Sequence, residues 1–308
     1  MNGTVIKATG KHYIVKTETN KVLQCRLKGK FRIEDIKSTN PLVVGDKVEL
    51  EPISEVWMIV KLFARKNQIL RKSVNLSKQT HIIASNIDQA ILMITLDSPI
   101  TTSGFIDRFL VSAEVYNIGV VLLFNKIDLL KNNLKSEQQK LQKVYEKIGY
   151  KCFSLSVIHD DLIQIKNLMI GKVNMISGHS GVGKSTLINK LQPNLNINTK
   201  EVSKIHKQGQ HTTTFSQLYD LDFGAAIIDT PGIKGFGLVA LTINDIGNYF
   251  PEFFALKTGC KFHNCIHKDE PDCAVKLHLE RGDISKSRYK NYLNMLLEEV
   301  DSFRTNNY

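Results

Sequence analysis

The sequence predicts a multidomain chain: an N-terminal β-barrel of OB type, a central α/β domain on a largely parallel sheet, and a C-terminal helical unit organised by a metal. Three observations carry this expectation. Residues 1–75 read as short alternating strands punctuated by turn residues, whereas from about residue 80 continuous apolar runs alternate with amphipathic helices. Three cysteines, Cys260, Cys265 and Cys273, then fall within fourteen residues. With 308 residues, 42% hydrophobic and 23% charged, the chain carries enough apolar material for full cores, which excludes extended disorder. Its longest apolar runs, such as 118–124, stop far short of the roughly 18 residues that a membrane span needs, and the N-terminus lacks the apolar stretch of a signal peptide. A cytoplasmic protein with no membrane contact is expected. Five cysteines is an odd number, and their clustering argues for a metal site in a reducing compartment rather than a disulfide framework.

The barrel rests on apolar segments at Val5-Ile6, Tyr13 to Val15, Val22 to Cys25, Val43 to Leu50 and Val56 to Val60. Alternation in Lys47-Val48-Glu49-Leu50 puts one face inside. An OB-type barrel is the expectation and an SH3-like barrel the alternative; both folds commonly bind nucleic acid. The stretch from Arg65 to Lys72 reads as a basic linker. Charge is concentrated in this region: residues 1–75 hold 15 Lys+Arg against 7 Asp+Glu, so +8 of the net +11 lies there. Such a surface is either a solvated face or an electrostatic footprint for a phosphate backbone. Cys25 and Cys152 sit in apolar strand patterns and read as core residues.

In the central region, Ala90 to Leu96 and Val120 to Phe124 are strands covered on both faces. Ile106, Phe109, Leu110 and Ala113 follow helical spacing between them, and Leu134, Leu141, Val144, Tyr145 and Ile148 mark a second helix that Gly149 can end. A strand at Val173 to Ser177 runs into Gly178-His179-Ser180-Gly181-Val182-Gly183-Lys184-Ser185, with helix Thr186 to Leu191 behind it. This is the G-x-x-x-x-G-K-[ST] phosphate loop in its strand–loop–helix context. Glycines let backbone N–H groups wrap phosphate, Lys184 reaches the β/γ-phosphates, and the Ser185 hydroxyl ligates Mg²⁺.

Asn125-Lys126-Ile127-Asp128 follows the buried strand ending at Phe124. An ionised Asp128 accepts two hydrogen bonds, which suits the N1–H and N2–H₂ donors of guanine and not adenine. Ser156, after the next strand, is placed to buttress the base. A further buried strand delivers Asp229-Thr230-Pro231-Gly232, with Asp229 assigned to the Mg²⁺ shell and the Gly232 N–H to the γ-phosphate. One of Thr212, Thr213 and Thr214 supplies the switch hydroxyl, Thr213 being the working choice. The position after D-x-x-G, where Ras-like enzymes place a water-orienting Gln, is Ile233, so His211 is the candidate to take over that task when the switch loop is ordered.

N-K-x-D precedes the phosphate loop, the reverse of the Ras order, while every expected strand and helix is present. The domain is therefore a circular permutation cut after the second switch, which a fold tolerates when old termini are joined and new ones open at the surface. At the C-terminus, Cys260, Cys265 and Cys273 with one histidine complete a closed tetrahedral Zn²⁺ shell, and His263, His267 and His278 all compete chemically for the fourth place.

Barrel, permuted domain and Cys/His cluster together, with Gly178–Thr186, Gly209–Thr214, Asp229–Gly232 and Cys260–Cys273 in that order, resemble the circularly permuted ribosome-small-subunit-dependent GTPases, the RsgA/YjeQ family. The resemblance spans essentially the whole chain. It implies GTP hydrolysis stimulated by the small ribosomal subunit, binding to that subunit and its rRNA late in maturation, and one structural zinc on Cys260, Cys265, His267 and Cys273. The corresponding units are 1–75, 76–235 and 236–308, and a monomer is expected. The alternatives are an RNA-binding scaffold with structural nucleotide, and an ATPase with a fortuitous N-K-x-D. A final helix with Tyr289, Tyr292, Leu293, Leu296, Leu297 and Val300 on one face is expected to pack rather than bind.

Overall fold

The computed structural model describes residues 1–10, 12–28, 41–53, 55–72, 80–195, 216–229 and 241–305. Strands β1 (Asn2–Ala8), β2 (Tyr13–Thr17), β3 (Val22–Leu27), β4 (Lys47–Ile53) and β5 (Val56–Leu62) close into a barrel in the order β1-β2-β3-β5-β4-β1. Only β3 and β5 run parallel; the other pairs are antiparallel. This is the five-stranded closure of an OB-type barrel. Period-2 alternation turns Val5, Tyr13, Val15, Cys25, Val48, Leu50 and Ile59 inward. Register shifts between Val5 and Lys7 and between Glu49 and Leu50 supply the bends that closure needs.

The expected basic linker is not a linker. Gln68–Lys72 forms β6, antiparallel to β7 (Thr80–Ser85). Arg65, counted with the solvated charges, spans the buried Asp46 carboxylate with Nε and Nη2 at 2.6 and 2.7 Å. Asp46 also accepts from the Ser85 hydroxyl at 2.6 Å and the Val43 N–H at 2.8 Å. A charge placed opposite a buried carboxylate is not available to a partner, and sequence composition cannot see that pairing.

The central sheet follows as β8 (Gln89–Ile94), α1 (Ser103–Val115), β9 (Gly119–Phe124), α2 (Asn132–Ile148), β10 (Lys151–Ser154), α3 (Ile163–Met169), β11 (Val173–Ser177), α4 (Lys184–Leu191), β12 (Gln217–Leu221) and β13 (Ala225–Asp229). Its order is β10-β9-β8-β11-β13-β12, parallel throughout except for the β12–β13 hairpin. Every residue of β8 is buried, as a central strand covered by helices on both faces requires. Thr102 caps α1 by accepting the Phe105 N–H at 3.2 Å, and Gly149, at φ 109°, ends α2. The phosphate loop leaves the middle strand β11, so the ligand edge lies where the strands end. β12 also pairs with β1 at Lys7 and Gln217, which joins barrel and central sheet edge to edge.

The C-terminal unit contains α5 (Ile243–Ile246), α6 (Pro251–Phe254), α7 (Ala274–Glu280) and α8 (Lys286–Thr305) around Ile246, Phe250, Phe253, Val275 and Tyr292. The inward face of α8 differs from the expected one. Arg288, Tyr292, Met295 and Leu296 are buried, whereas Leu297 is 55% exposed. Arg288, invisible to a hydrophobic pattern, is 1% exposed and bonds Asp107 of α1 at 2.8 Å and Glu252 of α6 at 2.8 and 2.9 Å. Cys25 and Cys152 are ordinary strand residues, and burial pushes their thiols up to about 11 and about 12.

Candidate nucleotide site and metal centre

The phosphate loop is shaped by three glycines in the left-handed region, Gly178 (φ 139°), Gly181 (φ 85°) and Gly183 (φ 105°). At two of them close approach reinforces the requirement. A Cβ on Gly178 would lie 2.5 Å from the Met93 carbonyl oxygen, and one on Gly183 2.5 Å from Asn125 Nδ2. Val182 is fully buried and anchors the loop, while Ser180 and Gly181 face solvent. Lys184 opens α4 with its ammonium donating to the Gly178 and His179 carbonyls at 2.8 and 2.7 Å, across the mouth of the loop. Ser185 and Thr186 follow in the first turn of α4, at the positive end of that helix. The His179 ring lies 4.0 Å from that of Phe105 in α1; burial, with Lys184 nearby, lowers its pKa.

Asn125 ends β9 buried, and its side chain is a bridge. Nδ2 donates to the Val182 carbonyl at 2.7 Å, and Oδ1 accepts the Val157 N–H at 2.9 Å. One amide thus ties the phosphate loop to the segment after β10. The permuted order brings together residues separated by 57 positions on one side and 32 on the other. Lys126 takes the left-handed conformation (φ 62°) and donates to the Ser98 carbonyl at 2.7 Å. Ile127 and Asp128 lie in the short turn that follows, with His159 Nε2 at 3.7 Å from Asp128 Oδ2. Ser156 is buried beside them, its N–H bonded to Asp160 Oδ2 at 2.7 Å. Asp229 ends β13, and the β11–β13 register, Met175 opposite Ile228, places it at the same edge as the phosphate loop. Gly209, His211, Thr212, Thr213, Thr214, Gly232 and Ile233 lie outside the described residues.

The second site is a cluster. The ligand atoms of Cys260, Cys265, His267 and Cys273 all lie within 4.8 Å of one another. His267 Nδ1 is 3.6 Å from Cys260 Sγ and 3.4 Å from Cys273 Sγ, close to the nitrogen–sulfur edge of about 3.6 Å expected for a tetrahedral site with metal–sulfur bonds of about 2.3 Å and metal–nitrogen bonds of about 2.05 Å. Three thiols and one imidazole, all but Cys260 buried, fit a metal ion that prefers sulfur and nitrogen. Burial pushes the Cys265 thiol up to about 12 and raises that of Cys273. A bound cation reverses the preference, because thiolate is the ligand. His263 is exposed, and His278 is paired with Asp283 at 2.8 Å, so neither joins the group.

The frame round the cluster gave no sequence signal. Tyr289 of α8 donates to the His267 carbonyl at 2.8 Å and Tyr292 to that of Ile266. Burial works to raise the pKa of Glu270, but N–H donors from Ile266 and Lys268, both at 2.8 Å, outweigh it and hold the carboxyl below its usual range. α8 thus holds the metal turn with one face and α1 with another.

A family model described as RsgA GTPase matches residues 62–239, and one described as RsgA N-terminal domain matches residues 2–56. The chain is 54% identical to the small ribosomal subunit biogenesis GTPase RsgA of Flavobacterium johnsoniae, covering 100% of this chain and 96% of that protein. It is 47% identical to the protein of the same name in Bacteroides fragilis, with 98% of each covered. Among solved structures it is similar to YjeQ from Thermotoga maritima, with a TM-score of 0.79, 32% identity, and 97% and 98% of the two chains covered. It is also similar to YloQ, described as a circularly permuted GTPase, with a TM-score of 0.78, 28% identity, and 98% and 95% covered. The chain belongs to the RsgA family of circularly permuted GTPases of small ribosomal subunit biogenesis.

Proposed function

We propose that this GTPase binds GTP between the phosphate loop and the Asn125–Asp128 turn and hydrolyses it on the small ribosomal subunit, late in that particle's maturation. The observation that supports this best is the Asn125 bridge, which ties the phosphate loop to the segment beside the base motif. Asp128 receives the guanine N1–H and N2–H₂ donors. The N–H groups of residues 178–186 and the start of α4 hold the phosphates. Lys184 exchanges its two carbonyl partners for β/γ-phosphate oxygens. The Ser185 and Thr213 hydroxyls and Asp229 hold Mg²⁺, which neutralises charge on the leaving phosphate. The Gly232 N–H contacts the γ-phosphate and His211 orients the attacking water, Ile233 being unable to do so.

The cluster holds one zinc ion, which in a closed four-ligand shell is structural. The segment 1–75, which carries +8 of the net +11, contacts rRNA through phosphates, so binding weakens as salt rises. The barrel, the GTPase domain and the segment 236–308 act as the units of a cytoplasmic monomer, with β6 grouped with its partner β7 in the GTPase domain. GTP turnover with and without purified small subunits tests the reading: marked stimulation is expected, and equal rates overturn it. His211→Ala is expected to lose stimulated turnover while keeping GTP affinity.

A further inference from the structure

The segment Ser156–Asp160 forms a self-closed turn at the base end of the site. Asp160 N–H and His159 N–H donate to the Ser156 carbonyl at 2.9 and 3.1 Å, and Asp160 Oδ2 accepts the Ser156 N–H. Parallel pairing of β10 with β9, Ser154 opposite Phe124, sets this turn level with Asn125–Asp128, and His159 reaches within 3.7 Å of the Asp128 carboxylate. A turn closed on itself still needs attachment to the rest of the fold. One tie is the Asn125 amide on Val157 N–H. The other is Lys190, in the last turn of α4, whose ammonium donates to the Ile158 carbonyl at 3.0 Å and the Asp160 carbonyl at 2.7 Å.

We propose that Lys190 is a positioning residue for guanine: it fixes the Ser156–Asp160 wall of the base subsite to the helix that carries the phosphate loop. The proposal rests on the base-site reading given above. Lys190 lies about one and two-thirds turns beyond Lys184, and the two acceptors of its ammonium both belong to the turn facing Asp128. A charged donor shared by two carbonyls holds a short loop more firmly than neutral hydrogen bonds do. Without it the turn loses both carbonyl contacts to α4, so the base loses a fixed wall while the phosphate subsite is untouched.

Calorimetric binding of GDP and of inorganic tripolyphosphate, both with Mg²⁺, to the full chain separates the two ends. Lys190→Ala is expected to weaken GDP about five- to tenfold and to leave tripolyphosphate within about twofold, the loss expected for a charge-assisted contact. Lys190→Arg should recover most of the GDP affinity, and Asp160→Asn, which loosens the same turn, should weaken GDP in the same direction. If Lys190→Ala lowers the melting temperature, Lys190→Met, which keeps the aliphatic stem, replaces it. Wild-type GDP affinity in the Lys190 variants, alongside a large loss in Asp128→Asn, overturns the proposal and leaves the base site standing. Equal weakening of GDP and tripolyphosphate also overturns it, by placing Lys190 at the phosphate end. Wild-type affinity in Asp128→Asn overturns the base-site reading and the proposal with it.

Discussion

At the barrel junction Arg65 meets one buried carboxylate, Asp46, with Ser85 and the Val43 N–H completing its shell. At the C-terminal junction Arg288 meets two, Asp107 and Glu252, while Tyr145 and Asn291 also donate to Asp107 at 2.8 and 2.6 Å. Asp46 draws its partners from at most 39 residues away, Asp107 from as far as 184. The barrel grip can form as its own strands assemble, but the C-terminal grip forms only when α8 is already held. Besides its apolar face and the Arg108–Glu298 and Asn291–Ser103 contacts to α1, α8 is held by the metal turn, through Tyr289 and Tyr292. The C-terminal junction should therefore depend on the metal, and the barrel junction should not.

Removing the metal tests that difference with the largest effect. Structural zinc contributes about 10 kcal/mol or more to the folding of small sites. In Cys273→Ser, or after chelation, amide hydrogen exchange should rise sharply through residues 241–298 and stay low in β1–β5. Protection of the C-terminal unit without metal would break the contrast. Arg288→Ala comes next: it leaves two buried carboxylates with a lost partner, at about 3–5 kcal/mol. Denaturant unfolding should show that loss, with the zinc content preserved. Arg65→Ala, which strands one carboxylate, should cost less than Arg288→Ala in the same assay. The reverse order would mean that the barrel junction, and not α8, carries the interdomain stability.

The motifs were legible in the sequence because their chemistry is local. The phosphate loop, N-K-x-D and the cysteine spacing each bring their ligands together within a few residues, and strand periodicity placed the first two at one sheet edge. What sequence reasoning missed is charge made internal by distant partners. Arg65 stood in a basic stretch and Arg288 gave no signal; the internal role of each is visible only once Asp46 and Asp107 face them. Asn125 read as a base contact, and its second task, bridging Val182 to Val157, needs the register of three separate segments. Lys190 gave no signal at all beyond a cation in the last turn of a helix. A cut at residue 75, natural from composition, would separate β6 from β7.

The smallest effect belongs to an ion pair that joins the barrel to the β12–β13 hairpin directly. Lys16 and Asp220 are 2.9 Å apart with side chains 27% and 54% exposed. An exposed pair of this kind stabilises by about 0–1 kcal/mol and is screened by salt. A double-mutant cycle of Lys16→Ala and Asp220→Ala should accordingly give a coupling below about 1 kcal/mol that shrinks in high salt. A larger, salt-resistant coupling would mean that the edge pairing of β1 with β12 holds the pair in a drier, more rigid geometry. The hairpin that joins the two switch segments would then be strapped to the barrel, and the barrel junction would rest on that strap as well as on Asp46 and Arg65.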